Sequence, residues 1–117
     1  MRDNKITGQI GEFVAYCYFL LRGYKVLRDQ KLGGVQVDLI LSKKTSLILL
    51  EVKARRKRDG KYSVISSSQL KRLKTAAKIL MIRNDTFDVS IDVFVVYLCP
   101  LKLEHHKNVC DIGWVTK

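Results

Sequence analysis

The sequence predicts one α/β domain over residues 1–117, with a mixed-direction sheet flanked by helices. Three observations carry that expectation. Apolar residues recur at helical spacing in two separate stretches. Around them run short segments rich in Val, Ile and Leu, the composition of strands. The Gly33-Gly34 pair and polar clusters divide those segments at hairpin distances. The predicted order is α-β-β-β-α-β-β.

Ile10, Phe13, Val14, Cys17, Leu20 and Leu21 define an amphipathic helix over residues 8–22, capped by Thr7 and stopped at Gly23. Residues 24–27 form a short strand. A second strand follows the Gly33-Gly34 turn and covers 35–41. The stretch SKKTS is a hairpin loop, and 47–54 is the returning strand. A charged loop, 55–63, surrounds Asp59-Gly60. SSSQLKRLKTAAKILMIR is a second helix with a serine cap and with Leu70, Leu73, Ala77 and Leu80 on one stripe. Residues 88–98 make a long strand closed by Pro100, and 108–115 a last edge strand.

A chain of 117 residues can bury about two-thirds of its unfolded surface, enough for a core without staples. Its apolar fraction of 47% and charged fraction of 28% are those of a soluble globular protein. Cys17, Cys99 and Cys110 lack CxxC spacing and are odd in number, so reduced thiols are expected. Residues 13–21 form the longest apolar run, too short to span a bilayer. The opening MRDNKITGQIGE has no secretory h-region. A cytoplasmic protein with no membrane partner is the expectation.

The charge balance is unusual. Twenty-two Lys and Arg against eleven acids give +11, which calls for a polyanionic partner. Between Lys53 and Lys78 stand ten of those cations and a single acid, Asp59. Arg55, Arg56, Lys57, Arg58 and Lys61 follow the third strand, and Lys71, Lys74 and Lys78 form a stripe on the second helix. Such a run is usually a solvated face. Beside a metal-site candidate it reads better as a phosphate track that positions backbone without reading bases.

That candidate lies in VQVDLILS and LILLEVKARR. Glu51 and Lys53 are two apart and share a sheet face. The short hairpin brings Asp38 nearly opposite Glu51, where like charges repel. Mg²⁺ suits two facing carboxylates, because it retains waters and completes its shell with phosphate oxygens. The alternative is an ordinary strand-end ion pair between Glu51 and Lys53, with Asp38 bonded to backbone. His105-His106, between Cys99 and Cys110, match no usual zinc spacing. Motifs for nucleotide hydrolysis, dinucleotide binding and serine hydrolases have no counterpart here.

D-x12-E-V-K on a hairpin between two helices resembles the PD-(D/E)xK nuclease superfamily. More narrowly, GQIGEFVAYCYFLLRGYKVL, VDLI, LILLEVKARR, SSSQLKRLKTAAKIL and IDVFVV together resemble the UPF0102 (YraN-like) family, distantly similar to archaeal Holliday-junction resolvases. The resemblance implies a restriction-endonuclease-like α-β-β-β-α-β core and a Mg²⁺- or Mn²⁺-dependent DNA endonuclease, acting on branched or structured DNA. It also implies Asp38, Glu51 and the backbone carbonyl of Val52 as metal ligands, Lys53 as the catalytic lysine, and Glu12 as an acid directed at the metal. Where the family carries a glutamate, this chain has Gln36, an accessory oxygen without a charge. That departure keeps a second expectation open, a nucleic-acid-binding module with little or no turnover. Resolvase-like relatives pair two sites on one DNA, so a weak homodimer is expected, with residues 89–98 or Ile79 and Ile82 as its apolar patch.

Overall fold

A computed structural model describes residues 2–56 and 65–110 of the chain, with side chains from Lys5 onward. Its elements run α1 (Arg2–Leu21), β1 (Lys25–Leu32), β2 (Val35–Lys43), β3 (Ser46–Arg55), α2 (Ser67–Arg83), β4 (Asp88–Leu98) and β5 (Leu101–His106). One five-stranded sheet has the spatial order β1-β2-β3-β4-β5. Among the described strands only β3 and β4 pair in parallel, and α2 lies in the crossover between them. The α-β-β-β-α-β-β order and the mixed sheet are those the sequence predicts.

Helix α1 starts earlier than expected. Thr7 is no cap: it is buried inside the helix, beside the end of β3, so tertiary packing overrides threonine's preference for helix ends. Its far end stops as predicted. Gly23 takes φ +88, its N–H donates to the Leu20 carbonyl, and the Tyr24 N–H donates to Phe19. This double closure is a Schellman motif, and Tyr24 packs its ring on Phe19 to complete it.

The buried stripe of α1 differs from the one its apolar spacing suggests. Gly11, Ala15 and Phe19 face the sheet, while Ile10, Phe13, Leu20 and Leu21 are exposed. The physical cause is close approach. A Cβ on Gly11 would lie 2.6 Å from the Ala54 Cβ, so only glycine lets the helix sit this near β3. Small residues, not the bulkiest, set the interface.

Strand β1 is twice the expected length, and the β2–β3 hairpin turns tightly through Lys44 (φ +54) and Thr45, with Lys43 paired to Ser46. Helix α2 has its predicted serine cap: Ser66 Oγ accepts from the Gln69 N–H, and the Gln69 side chain reaches back to the Ser66 N–H. Its buried stripe is Leu73, Ala76, Ala77 and Leu80. Strand β5 occupies 101–106, immediately after the Pro100 turn; of the expected edge strand over 108–115, residues 108–110 lie outside any strand and 111–115 lie outside the described residues. Asp92, itself buried, explains that course. Its carboxylate meets His105 Nε2 at 2.8 Å and accepts the Asn108 N–H at 2.8 Å, fixing both to β4.

Two apolar clusters lie on opposite faces of the sheet. Ala15 and Phe19 of α1 close over Leu39, Leu41, Leu50, Phe94 and Val96. Leu73, Ala76, Ala77 and Leu80 of α2 close over Val37, Ile40, Leu47, Leu49 and Ile91. Strand β4, flanked by β3 and β5, is buried over most of its length, so it supplies no patch for a second copy. Ile79 packs partly into the core, while Ile82 is exposed. No described helix is long and apolar enough to cross a membrane.

Candidate functional site

The two strands of the hairpin part company where the charged residues begin. Backbone pairing of β2 with β3 runs from Lys43↔Ser46 to Leu39↔Leu50, and the next position would place Asp38 against Glu51. There the side chain replaces the ladder: the Val52 N–H donates to Asp38 Oδ2 at 2.9 Å. On the other side, β1–β2 pairing skips Asp29, which takes φ +53 between the pairs Arg28↔Leu39 and Gln30↔Val37. Asp38 therefore has an acid across from it on each neighbouring strand.

Alternation along β3 turns Glu51 and Lys53 to the α2 side, with Leu47 and Leu49, and turns Val52 and Ala54 toward α1. Lys53 Nζ lies 3.4 Å from Glu51 Oε2 and donates to Gln69 Oε1 at 2.8 Å. Gln69 belongs to the cap of α2, so the helix start and the lysine share one amide oxygen. The ordinary ion pair and the backbone bond to Asp38 are thus both present. Neither suffices to offset the charges. Burial first, then Asp38, pushes the Glu51 carboxyl from its usual 4.5 to about 7, although Lys53 opposes the rise. Asp38 is also raised, chiefly by burial, against the Val52 N–H and Lys53.

Glu12 joins this field from α1. Burial, Asp38 and Asp29 raise its carboxyl, and Arg28 pulls the other way. Arg28 in turn lies 5.0 Å from the Tyr16 ring, one helical turn beyond Glu12. Among the described residues, no three of His, Cys, Asp or Glu converge closely enough to hold a metal by themselves. The donor set is a pair of carboxylates with neutral oxygens around it. That chemistry fits a hard cation that keeps its waters, such as Mg²⁺, and not a caged zinc.

Asp38 and Glu51 line a cavity of about 320 Å³ with Gln36, Gly34, Val35, Gln69, Arg72 and Leu73. At about 30 Å³ per water, this holds roughly ten waters, or a hydrated ion and one phosphate group. A second cleft, over the end of β3, is lined by Thr7, Gly8, Val52, Lys53, Ala54, Arg55 and Arg56. Lys71 and Lys78 are exposed and Lys74 half-buried on α2, and none of the three lines either cleft. Lys57, Arg58 and Lys61 lie outside the described residues. His105 is engaged with Asp92, and His106 with Glu104 at 3.3 Å.

Three residues at the site escaped the sequence reading. Asp29 carried no signal, since its proximity depends on the β1–β2 register. Gln69 could have been found, because Ser66 and Gln69 have the S-x-x-Q spacing of a capping box. Arg72 follows from Gln69, three residues on and on the same side of the helix.

The fold and the site together define a mixed-sheet α/β domain with an acid pair and a lysine at the parting of a central hairpin. The profile of the Uncharacterised protein family UPF0102 matches residues 11–96, and the chain belongs to that family. It is similar to a UPF0102 protein of Clostridioides difficile (strain 630), 33% identical over 111 residues, which covers 91% of this chain and 97% of the relative. A UPF0102 protein of Agrobacterium fabrum is 31% identical over 109 residues, covering 90% and 88%. One from Rhizobium johnstonii is 29% identical over 103 residues, covering 85% and 83%.

Proposed function

We propose that the chain is a metal-dependent endonuclease that hydrolyses phosphodiester bonds in DNA. One observation carries this reading. Asp38 and Glu51 stand together at an open cavity, both held in their protonated forms to unusually high pH although Lys53 and the Val52 N–H already serve them. Such a pair gains most from a divalent cation. Asp38, Glu51 and the Val52 carbonyl would hold Mg²⁺ or Mn²⁺, which supplies an acidified water and offsets charge developing on phosphorus.

The remaining work falls to the chain. Lys53, fixed by Gln69 and Glu51, offers protons toward a phosphoryl oxygen or orients the attacking water. Gln36 adds a neutral oxygen at the cavity wall. Arg55 and Arg56 continue along the second cleft and hold the backbone beyond the reacting bond. In the net reaction, water oxygen bonds to phosphorus, one ester P–O bond breaks, and the leaving oxygen takes a proton.

The test is incubation with branched, single-stranded and duplex DNA in Mg²⁺, Mn²⁺ or EDTA. Cleavage that stops in EDTA is expected; cleavage that continues in EDTA overturns the metal mechanism. A second reading, a binding module without turnover, is favoured by Gln36 standing at the cavity as a neutral residue. Binding without cleavage in every condition selects it. The resolvase form of the proposal carries a weak homodimer, and a monomer in sedimentation with and without junction DNA leaves a nicking enzyme or a binder.

A further inference from the structure

Helix α2 turns two polar residues to the acid cavity, Gln69 and Arg72, with Leu73 at their base. Gln69 is committed: its Oε1 accepts from Lys53 Nζ and from the Ser66 N–H. Arg72 is not. Its side chain is exposed and, among the described residues, makes no hydrogen bond or ion pair. Its charge is felt by Glu51, yet Glu51 takes Lys53 as its ion-pair partner. Of the residues described as lining the cavity, Arg72 alone carries a full positive charge.

The opposite wall is open. Gly34, in the β1–β2 turn, has no neighbouring atom within 4 Å of where a Cβ would stand, and Val35 and Gln36 continue that wall. A group entering between the walls meets carboxylates on the floor and a guanidinium on the side. Carboxylates repel a bare anion, so the arrangement suits a ligand with an anionic part for Arg72 and a cation for the floor.

We propose that Arg72 is a binding residue that grips the two non-bridging oxygens of a phosphate in the strand crossing the acid cavity. This rests on the phosphodiester reading above and adds the interaction that places the strand. The planar fork of arginine matches two phosphate oxygens at once, which a lysine's point charge does not. Arg72 holds the substrate, whereas Lys53 faces the reacting bond.

The test compares wild type with Arg72→Ala and Arg72→Lys, using a short labelled DNA duplex and the same DNA single-stranded. Binding is measured across a salt series with Ca²⁺ in place of Mg²⁺, and cleavage separately with Mg²⁺. Arg72→Ala is expected to bind about 10- to 100-fold more weakly, and its log affinity to fall less steeply with log salt, by about 0.9. Arg72→Lys is expected to restore the salt slope and only part of the affinity. Metal affinity measured by calorimetry should be unchanged or higher in both variants, and their urea midpoints should match wild type. A merely structural arginine would move the midpoint and leave the slope alone.

Wild-type affinity and slope in Arg72→Ala overturn the proposal, and wild-type cleavage in Mg²⁺ then leaves the nuclease reading standing. If the wild type binds without cleaving and Arg72→Ala binds more weakly with the flatter slope, the Arg72 assignment holds and the hydrolytic reading falls. Absence of DNA binding by the wild type at low salt overturns both.

Discussion

Replacing Glu51 with glutamine should make the metal-free protein more stable at alkaline pH. The carboxyl titrates at about 7 in the folded chain and near 4.5 when exposed. Between those values the folded state binds the extra proton, so its stability falls as pH rises through the window. At about 1.4 kcal/mol per pH unit, the loss approaches 3.5 kcal/mol once the pH exceeds both values. Glu51 and Lys53 are only 16% and 15% exposed, so screening by water removes little of this.

Glutamine stands in for the protonated carboxyl, and the rise to about 7 already includes the opposing pull of Lys53. The expected gain in EDTA at pH 8 is therefore about 3 kcal/mol. At a urea dependence of about 1.5 kcal/mol per molar, the midpoint moves up by about 2 M. At pH 4.5 the gain should vanish, because Glu51 is then protonated in the folded chain and holds Lys53 no better than glutamine does. Urea titrations at the two pH values check this. A variant weakened equally at both would show that Glu51 braces the fold through Lys53, and the account of a strained acid pair would fail.

Four further outcomes follow from the same geometry. Because a ligand carboxylate must be ionised, Mg²⁺ affinity measured by calorimetry should rise roughly tenfold from pH 6 to pH 8, as Glu51 loses its proton near 7; a flat profile removes Glu51 from the ligands. Lys53→Ala should keep metal affinity within a few-fold and slow cleavage by about 10²-fold or more, a split that equal declines in both would contradict. Replacing Arg55, Arg56 and Arg58 together should weaken binding to all DNA sequences alike and flatten the salt dependence by about 0.9 for each phosphate no longer neutralised. Gly11→Ala, whose Cβ would meet Ala54 at 2.6 Å, should cost about 1–3 kcal/mol in urea unfolding, and a wild-type midpoint would show that α1 can slide off β3 freely.

Much of this architecture is legible without coordinates because its signals are local. The apolar Val-, Ile- and Leu-rich runs of β2, β3 and β4, the glycine that ends α1 and the serine that starts α2 each act within a few residues. The encounter of Asp38 with Glu51 is legible too, since a hairpin with a short loop fixes which residues face each other. What escaped depends on interactions between residues distant in sequence. The buried face of α1 was hidden because Gly11 and Ala15 bury less area than Ile10 and Phe13 but permit closer approach. The place of β5 turns on Asp92, whose bonds to His105 and Asn108 span 13 and 16 residues. Asp29 reaches Asp38 only through the register of a strand that sequence made half as long. Chemistry on one hairpin could be foreseen, whereas chemistry delivered by the next helix could not.

The amide oxygen of Gln69 ties two timescales together. A helix cap frays and reforms far more often than a domain unfolds. Here each fraying event at Ser66 also lets go of Lys53, because both hydrogen bonds end on one atom. The aim of the lysine thus inherits the opening equilibrium of the first turn of α2, not the stability of the whole protein. Warming well below the melting point would scatter the ammonium group while the sheet stays intact. Amide exchange at Gln69 and Leu70 would then track the decline in turnover more closely than any global unfolding curve.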